Sequence, residues 1–216
     1  IHLYAVTTAL AVVLPRLLLA AIDRLRERRL ATRFPLPLDD AYFSALARTH
    51  SGEAASVLAI PFSHPLTPQA ALGLRAMLGS ALGAQTRLVV APTLDYGDEE
   101  SAAATLRNVP RPTLLVALMS ATATPEPQAH GVFVATLSAA MPAGTTLLVV
   151  VDESGFVARF GDADPTASRR REERRAAWTR FLVPRGQRPL FVDLERTEVS
   201  LAGGALREAL DRSATP

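Results

Sequence analysis

The chain contains no cysteine. Disulfides, thiolate metal ligands and cysteine nucleophiles are excluded together, and the remainder suits a reducing compartment. Lysine is also missing, so all 23 basic residues are arginine. A phosphate-binding loop of the G-x-x-x-x-G-K-[ST] type needs its lysine on the phosphates, so it is excluded. No G-x-G-x-x-G follows a candidate strand, which removes the dinucleotide fingerprint, and no cofactor is assigned. H-E-x-x-H and G-x-S-x-G are missing too; Ser154 sits in Asp-Glu-Ser-Gly-Phe, which is not a nucleophile elbow. Charge of one sign is scarce: the formal net charge is +2. The pI of about 9.6 partly reflects the missing lysine, because arginine keeps its charge to high pH. Arginine-for-lysine usage with abundant alanine reads as a GC-rich bacterial coding bias. It is not a nucleic-acid signal, and no nucleic acid partner is expected. Internal repeats and low-complexity segments are also missing.

What is present is 216 residues, 49% hydrophobic, with a mean hydropathy of +0.18. That is enough for one sizeable core plus an appendage, and it argues against disorder. The chain begins at Ile1 and not at methionine, as expected of a piece of a longer protein. The first 22 residues, IHLYAVTTALAVVLPRLLLAAI, are apolar apart from His2, Thr7, Thr8 and Arg16. As a helix they would extend about 33 Å, one bilayer core. Arg16 opposes a span unless it snorkels, and Pro15 kinks or ends such a helix. A span finishing near Leu14, with Leu17 to Leu25 at the interface, fits equally well, and a buried helix of a soluble core is the third reading. Arg24, Arg26, Arg28 and Arg29 follow the apolar stretch. By the positive-inside rule they face lipid headgroups or a partner and put the rest of the chain in the cytoplasm, on a bacterial inner membrane.

The expected organisation is residues 1–33 as a transmembrane or juxtamembrane helix, 34–55 as a connector, and 56–216 as a cytoplasmic α/β domain. In the connector, Pro35 and Pro37 favour extended neighbours, and Asp39 or Asp40 caps a short helix through Tyr42, Phe43, Leu46 and Ala47. Beyond it, nearly continuous apolar runs at 57–61, 87–91, 113–119, 145–151 and 189–192 read as strands buried on both faces of a parallel sheet. Helices are predicted between them. Thr67-Pro68 starts one that reaches Leu82 and stops at Gly83. Asp98, Glu99 and Glu100 fall in the first turn of one reaching Arg107. Thr124-Pro125-Glu126 starts one to Ala140, Thr166 or Ser168 one to Leu182, and a last helix covers 205–210. Such alternation implies right-handed crossovers and a doubly wound, flavodoxin- or Rossmann-like, mainly parallel five-stranded sheet with helices on both faces.

Ligands of open parallel sheets sit outside the carboxyl ends of the strands. Those ends carry Ser63 and His64; Asp95 and Tyr96; Ser120, Thr122, Thr124 and Glu126; Asp152, Glu153 and Ser154; and Asp193 with Glu195. His64, Asp95, Asp152, Glu153 and Asp193 are the catalytic candidates, with His64 and Asp152 first. Clustered acids bind a divalent cation or do acid–base work; the same residue types also cap helices. Glu126 and His130, four apart on a predicted helix, share a face and form either two metal ligands or a local ion pair. The run from Ser168 to Arg175 is of mixed sign, with Glu–Arg pairs at three or four spacing as on a solvated helix face, and offers an alternative contact for acidic lipid or an acidic partner.

The order Val-Leu-Pro-Arg-Leu (13–17), Arg-Phe-Pro-Leu-Pro-Leu-Asp (33–39), Tyr-Gly-Asp-Glu (96–99), Ala-Thr-Pro-Glu (123–126) with His-Gly (130–131), Val-Asp-Glu-Ser (151–154) and Phe-Val-Asp-Leu (191–194) resembles a bacterial membrane-protein family, domain of unknown function 2868. The resemblance runs over nearly the whole chain through short motifs. It implies upstream transmembrane helices, a cytoplasmic C-terminal domain and a GTPase-like neighbour, and it transfers no catalytic residue. Two functions follow. One is a membrane-anchored scaffold or regulator that docks a protein partner, a GTPase by this resemblance. The other is a metal-assisted hydrolase or nucleotide-processing enzyme in which His64, Asp95, Asp152 and Asp193 converge in one pocket.

Overall fold

The seven residues Leu114–Ser120 are buried without exception, the pattern of a strand covered on both faces. This is strand β3 of the computed structural model, which describes residues 54–107, 109–161 and 165–213 together with Arg16, Leu19, Ala20, Ile22, Asp23 and Arg24. The chain divides into two units, Ile1–Leu38 and Asp39–Pro216. In the first, the six described residues are helical and exposed, Arg24 among them. Arg26, Arg28, Arg29, the connector helix and most of the apolar leader lie outside the described residues. Among the described residues no helix is long and apolar enough to cross a membrane.

The second unit runs β1 (Ser56–Pro61), α1 (Pro68–Leu82), β2 (Arg87–Val90), α2 (Ser101–Arg107), β3, a π-turn (Pro127–Gly131) leading into α3 (Val132–Ala140), β4 (Thr146–Asp152), α4 (Ser154–Phe160), α5 (Pro165–Leu182), β5 (Pro189–Val192) and α6 (Val199–Ser213). The five strands form one sheet in the order β2-β1-β3-β4-β5, every pairing parallel. This is the flavodoxin-like order, whose crevice opens where β1 and β3 diverge.

Alternate side chains of each strand enter opposite cores. Leu58, Ile60, Leu115, Ala117, Val149 and Val151 meet Ala102 and Leu106 of α2, Phe133 and Leu137 of α3, Phe156 of α4 and Trp178 of α5. Val57, Ala59, Val116, Leu118, Leu148 and Val150 meet Leu74, Met77 and Leu78 of α1 and Leu206 of α6. Helices therefore cover both faces, as the sequence pattern requires. Thr67 caps α1 by accepting the Ala70 N–H at 3.1 Å, with Pro68 at the first turn.

α1 lies against the loop that follows β5 and against α6. A Cβ on Gly73 would overlap the Leu194 carbonyl oxygen and lie 2.7 Å from Thr197 Oγ1. Backbone cannot withdraw as a flexible side chain does. Gly73→Ala is therefore expected to lower stability by about 2–3 kcal/mol, read as a reduced urea midpoint with an unchanged slope.

One helix and three helix boundaries differ from the sequence expectation. The pattern predicts no helix at α4, because seven residues containing a glycine are too short to show a helical period. The Thr124-Pro125-Glu126 start gives a π-turn first, because Gly131 N–H bonds the Glu126 carbonyl five residues back. The acids 98–100 precede α2, whose Ser101 N–H bonds the Asp98 carbonyl. Finally, α6 spans Val199–Ser213, well beyond 205–210.

Candidate functional site

Three carboxyl ends meet around Asp152. It is the last residue of β4, and the alternation along that strand turns its side chain toward α1 and α6. It is fully buried. A buried carboxylate is tolerated only when its lone pairs are filled, and here four donors fill them. Ser154 N–H and Leu194 N–H donate to Oδ1 at 3.0 and 3.1 Å. Ser154 Oγ–H donates to Oδ2 at 2.7 Å, and the His64 Nε2 lies 2.8 Å from the same oxygen. Burial pushes the Asp152 pKa up, but the hydrogen bonds from His64, Ser154 and Leu194 outweigh it and hold the group below the usual carboxylate range.

His64 follows Ser63, which has a φ of 48°. A serine in the left-handed region is uncommon. It turns the chain out of β1 so that the histidine, two residues beyond Phe62, reaches past β3 to β4. The His64 side chain remains 17% exposed. With Nε2 donating to the carboxylate, Nδ1 is the acceptor nitrogen of the neutral ring. It has no hydrogen bond among the described residues.

Glu153 points to the other side of the sheet and is also buried. Arg175 forks onto it, Nε to Oε1 at 2.6 Å and Nη2 to Oε2 at 2.7 Å. Arg171 adds Nε to Oε2 at 2.9 Å. Burial raises the Glu153 pKa; the hydrogen bonds and charges of the two arginines lower it further than that, so the net shift is downward. Bidentate arginine–carboxylate pairs are among the strongest charged contacts.

The other candidates do not join this centre. Asp193 Oδ1 accepts the N–H groups of Glu195 and Arg196 at 3.1 and 3.0 Å, which is turn capping. Asp95 is exposed, and its carbonyl closes the turn to Asp98. Glu195 accepts from Thr67 Oγ1 at 2.8 Å, while Ser120 and Thr122 share a 2.7 Å hydroxyl contact. Glu126 and His130 do not form the side-chain pair their spacing allows. The Glu126 carboxylate is exposed, and its backbone N–H donates to His130 Nδ1 at 3.2 Å. The π-turn carries the ring inward, where it is 1% exposed. Among the described residues no three His, Asp or Glu side chains are grouped as a metal site requires.

His130 instead sits among Phe62, Tyr96 and Trp178, with ring centroids 5.4, 5.7 and 5.0 Å away. Burial lowers its pKa to about 4, against a smaller upward pull from Glu99. The same loop contains Tyr96, raised by burial and by Glu126. The unfolded chain protonates this histidine near the ordinary value of 6.5, before the folded state does. Its stabilising effect is complete above that pH and is lost as pH falls toward 4. Between pH 7 and pH 5 this amounts to about 2 kcal/mol. His130→Phe is expected to abolish that share of the loss, seen by comparing urea midpoints of the two proteins at pH 7 and pH 5.

Sequence reasoning missed Arg171 and Arg175 as partners of Glu153. The Arg169–Glu173 pair at 3.0 Å is the solvated i,i+4 contact that the run predicts, whereas Arg171 and Arg175 share the inner side of the same helix. Their four-residue spacing on a helix that buries Ala167, Trp178 and Leu182 was the available signal. No protein-family model matches the chain, and no curated protein shows significant similarity to it.

Proposed function

We propose that the chain is a docking and regulatory α/β domain of a membrane-anchored protein. The observation that carries this reading is the state of the rim at the carboxyl ends of the strands. Asp152 has four internal donors, Glu153 has two arginines and Asp193 caps a turn. Groups committed in this way fix loops and helices and have little freedom to bind an ion or move a proton during turnover. Among the described residues the surface exposes arginines, Arg169 and Arg170 among them, and apolar side chains such as Phe160 and Leu201.

The anchor in this reading is the apolar leader followed by Arg24, Arg26, Arg28 and Arg29, with the domain facing the cytoplasm. The resemblance to domain of unknown function 2868 supports a GTPase as the partner. Affinity purification of the full chain from detergent extracts, followed by gel filtration with GDP or a non-hydrolysable GTP analogue, tests it. A GTPase that co-elutes is the expected result; recovery of no stable partner contradicts the proposal.

One observation favours a second reading. The His64 ring is oriented by a buried carboxylate, reaches solvent and keeps one nitrogen without a hydrogen bond among the described residues. That is how a general base is held. Under this reading a thermal-shift screen of nucleotides and divalent metals finds a stabilising ligand, and His64→Gln removes its turnover while leaving the fold intact. A clean screen argues for the docking reading alone.

A further inference from the structure

We propose that the cleft between α4 and α5 is a binding site for a small aromatic anion: a planar ring carrying a phosphate or carboxylate. The cleft is lined by Phe156, Phe160, Arg170, Glu173, Arg174 and Ala177 and has a volume of about 370 Å³. That lies toward the lower end of small-ligand pockets, about 300–1,000 Å³.

Its apolar wall is a pair of phenyl rings with centroids 4.7 Å apart, Phe156 buried and Phe160 37% exposed. An exposed phenylalanine beside a cleft is a ready stacking surface for a second ring. Two guanidinium groups already lie near that ring, Arg159 at 5.4 Å and Arg170 at 5.7 Å from its centroid. They enrich the aromatic wall with positive charge.

Arg174 is positioned in advance. Its Nη1 donates to the Ala123 carbonyl and to Thr124 Oγ1, both at 3.2 Å, so little freedom remains to be lost when an anion arrives. Among the described residues of the lining the one anion, Glu173, pairs with Arg169 at 3.0 Å, and the two cations are Arg170 and Arg174. Planar forks of this kind suit phosphate and carboxylate, and the phenyl wall suits the ring that bears them. This site is separate from His64 and Asp152 and does not depend on the partner reading.

The test uses the full chain with phenyl phosphate as probe, followed by calorimetric titration and ligand-observed NMR. Phenyl phosphate is expected to bind. Benzyl alcohol, which keeps the ring and lacks the charge, and inorganic phosphate, which keeps the charge and lacks the ring, are each expected to bind at least tenfold more weakly. Arg170→Gln and Phe160→Ser change exposed side chains, so both should fold, and each should weaken phenyl phosphate at least tenfold. Ala177→Phe, which fills the cleft, should abolish binding. The proposal is overturned if phenyl phosphate does not bind, if benzyl alcohol or inorganic phosphate matches it, or if folded Arg170→Gln binds it as the parent does.

Discussion

Asp152→Ala is expected to destabilise the domain by about 3–5 kcal/mol, a large share of the about 5–15 kcal/mol that holds a domain folded. The substitution removes one acceptor and strands four donors: the N–H groups of Ser154 and Leu194, the Ser154 hydroxyl and the His64 ring. Those donors come from three segments, the loops after β1 and β5 and the start of α4, so the loss spreads across the carboxyl edge of the sheet. Asp152→Asn separates this from a simple loss of packing. The amide keeps an oxygen for the two backbone N–H groups and offers an NH₂ where Oδ2 stood, which His64 meets by taking its other tautomer. Its cost should be about 1–2 kcal/mol. Urea unfolding at pH 7 ranks the two variants, and equal effects would show that the hydrogen bonds do not account for the stability.

The second large effect is the combined substitution Arg171→Gln with Arg175→Gln. Either change alone leaves Glu153 one guanidinium, and because both arginines retain some exposure, at 30% and 41%, each single variant should lose about 1 kcal/mol. Together they leave a buried carboxylate without a cation, at a cost of about 3–5 kcal/mol. The pH dependence carries a signature of this cause. In the parent protein the Glu153 pKa is lowered, so its contribution is present above the carboxylate range and lost on acidification. In the double variant burial acts unopposed and raises the pKa. That variant gains stability as pH falls through the raised value, and the gap to the parent narrows toward pH 4. A gap constant from pH 7 to pH 4 would exclude an uncompensated Glu153 as its origin.

Much of this architecture is readable in the residues. Leu-Leu-Val-Ala-Leu-Met-Ser has no polar interruption until its end because both faces of β3 are covered. Thr67-Pro68 marks the start of α1 because a hydroxyl cap followed by proline solves the same local problem wherever a helix begins. His64 and Asp152 were distinguishable as residues at the carboxyl ends of buried strands. Their contact was not, since β3 lies between β1 and β4 and strand order is a tertiary property. The destination of Arg171 and Arg175 was hidden for a similar reason: Glu153 lies 18 and 22 residues earlier in the chain. Glu172 and Glu173 offer nearer partners that satisfy the same local rule. His130 illustrates the opposite failure. Its spacing from Glu126 suggested a shared helix face, but two prolines at the helix start gave a π-turn that rotates the ring into the aromatic core.

A double-mutant cycle in folding stability, with His64→Ala, Asp152→Ala and the two combined, bears most directly on whether the rim serves the fold. Residues held for catalysis are commonly neutral or destabilising for the fold that carries them. The docking account predicts a favourable coupling of about 1–3 kcal/mol between His64 and Asp152, with both single variants less stable than the parent. A coupling within about 0.3 kcal/mol of zero, or a His64→Ala variant more stable than the parent, would contradict it.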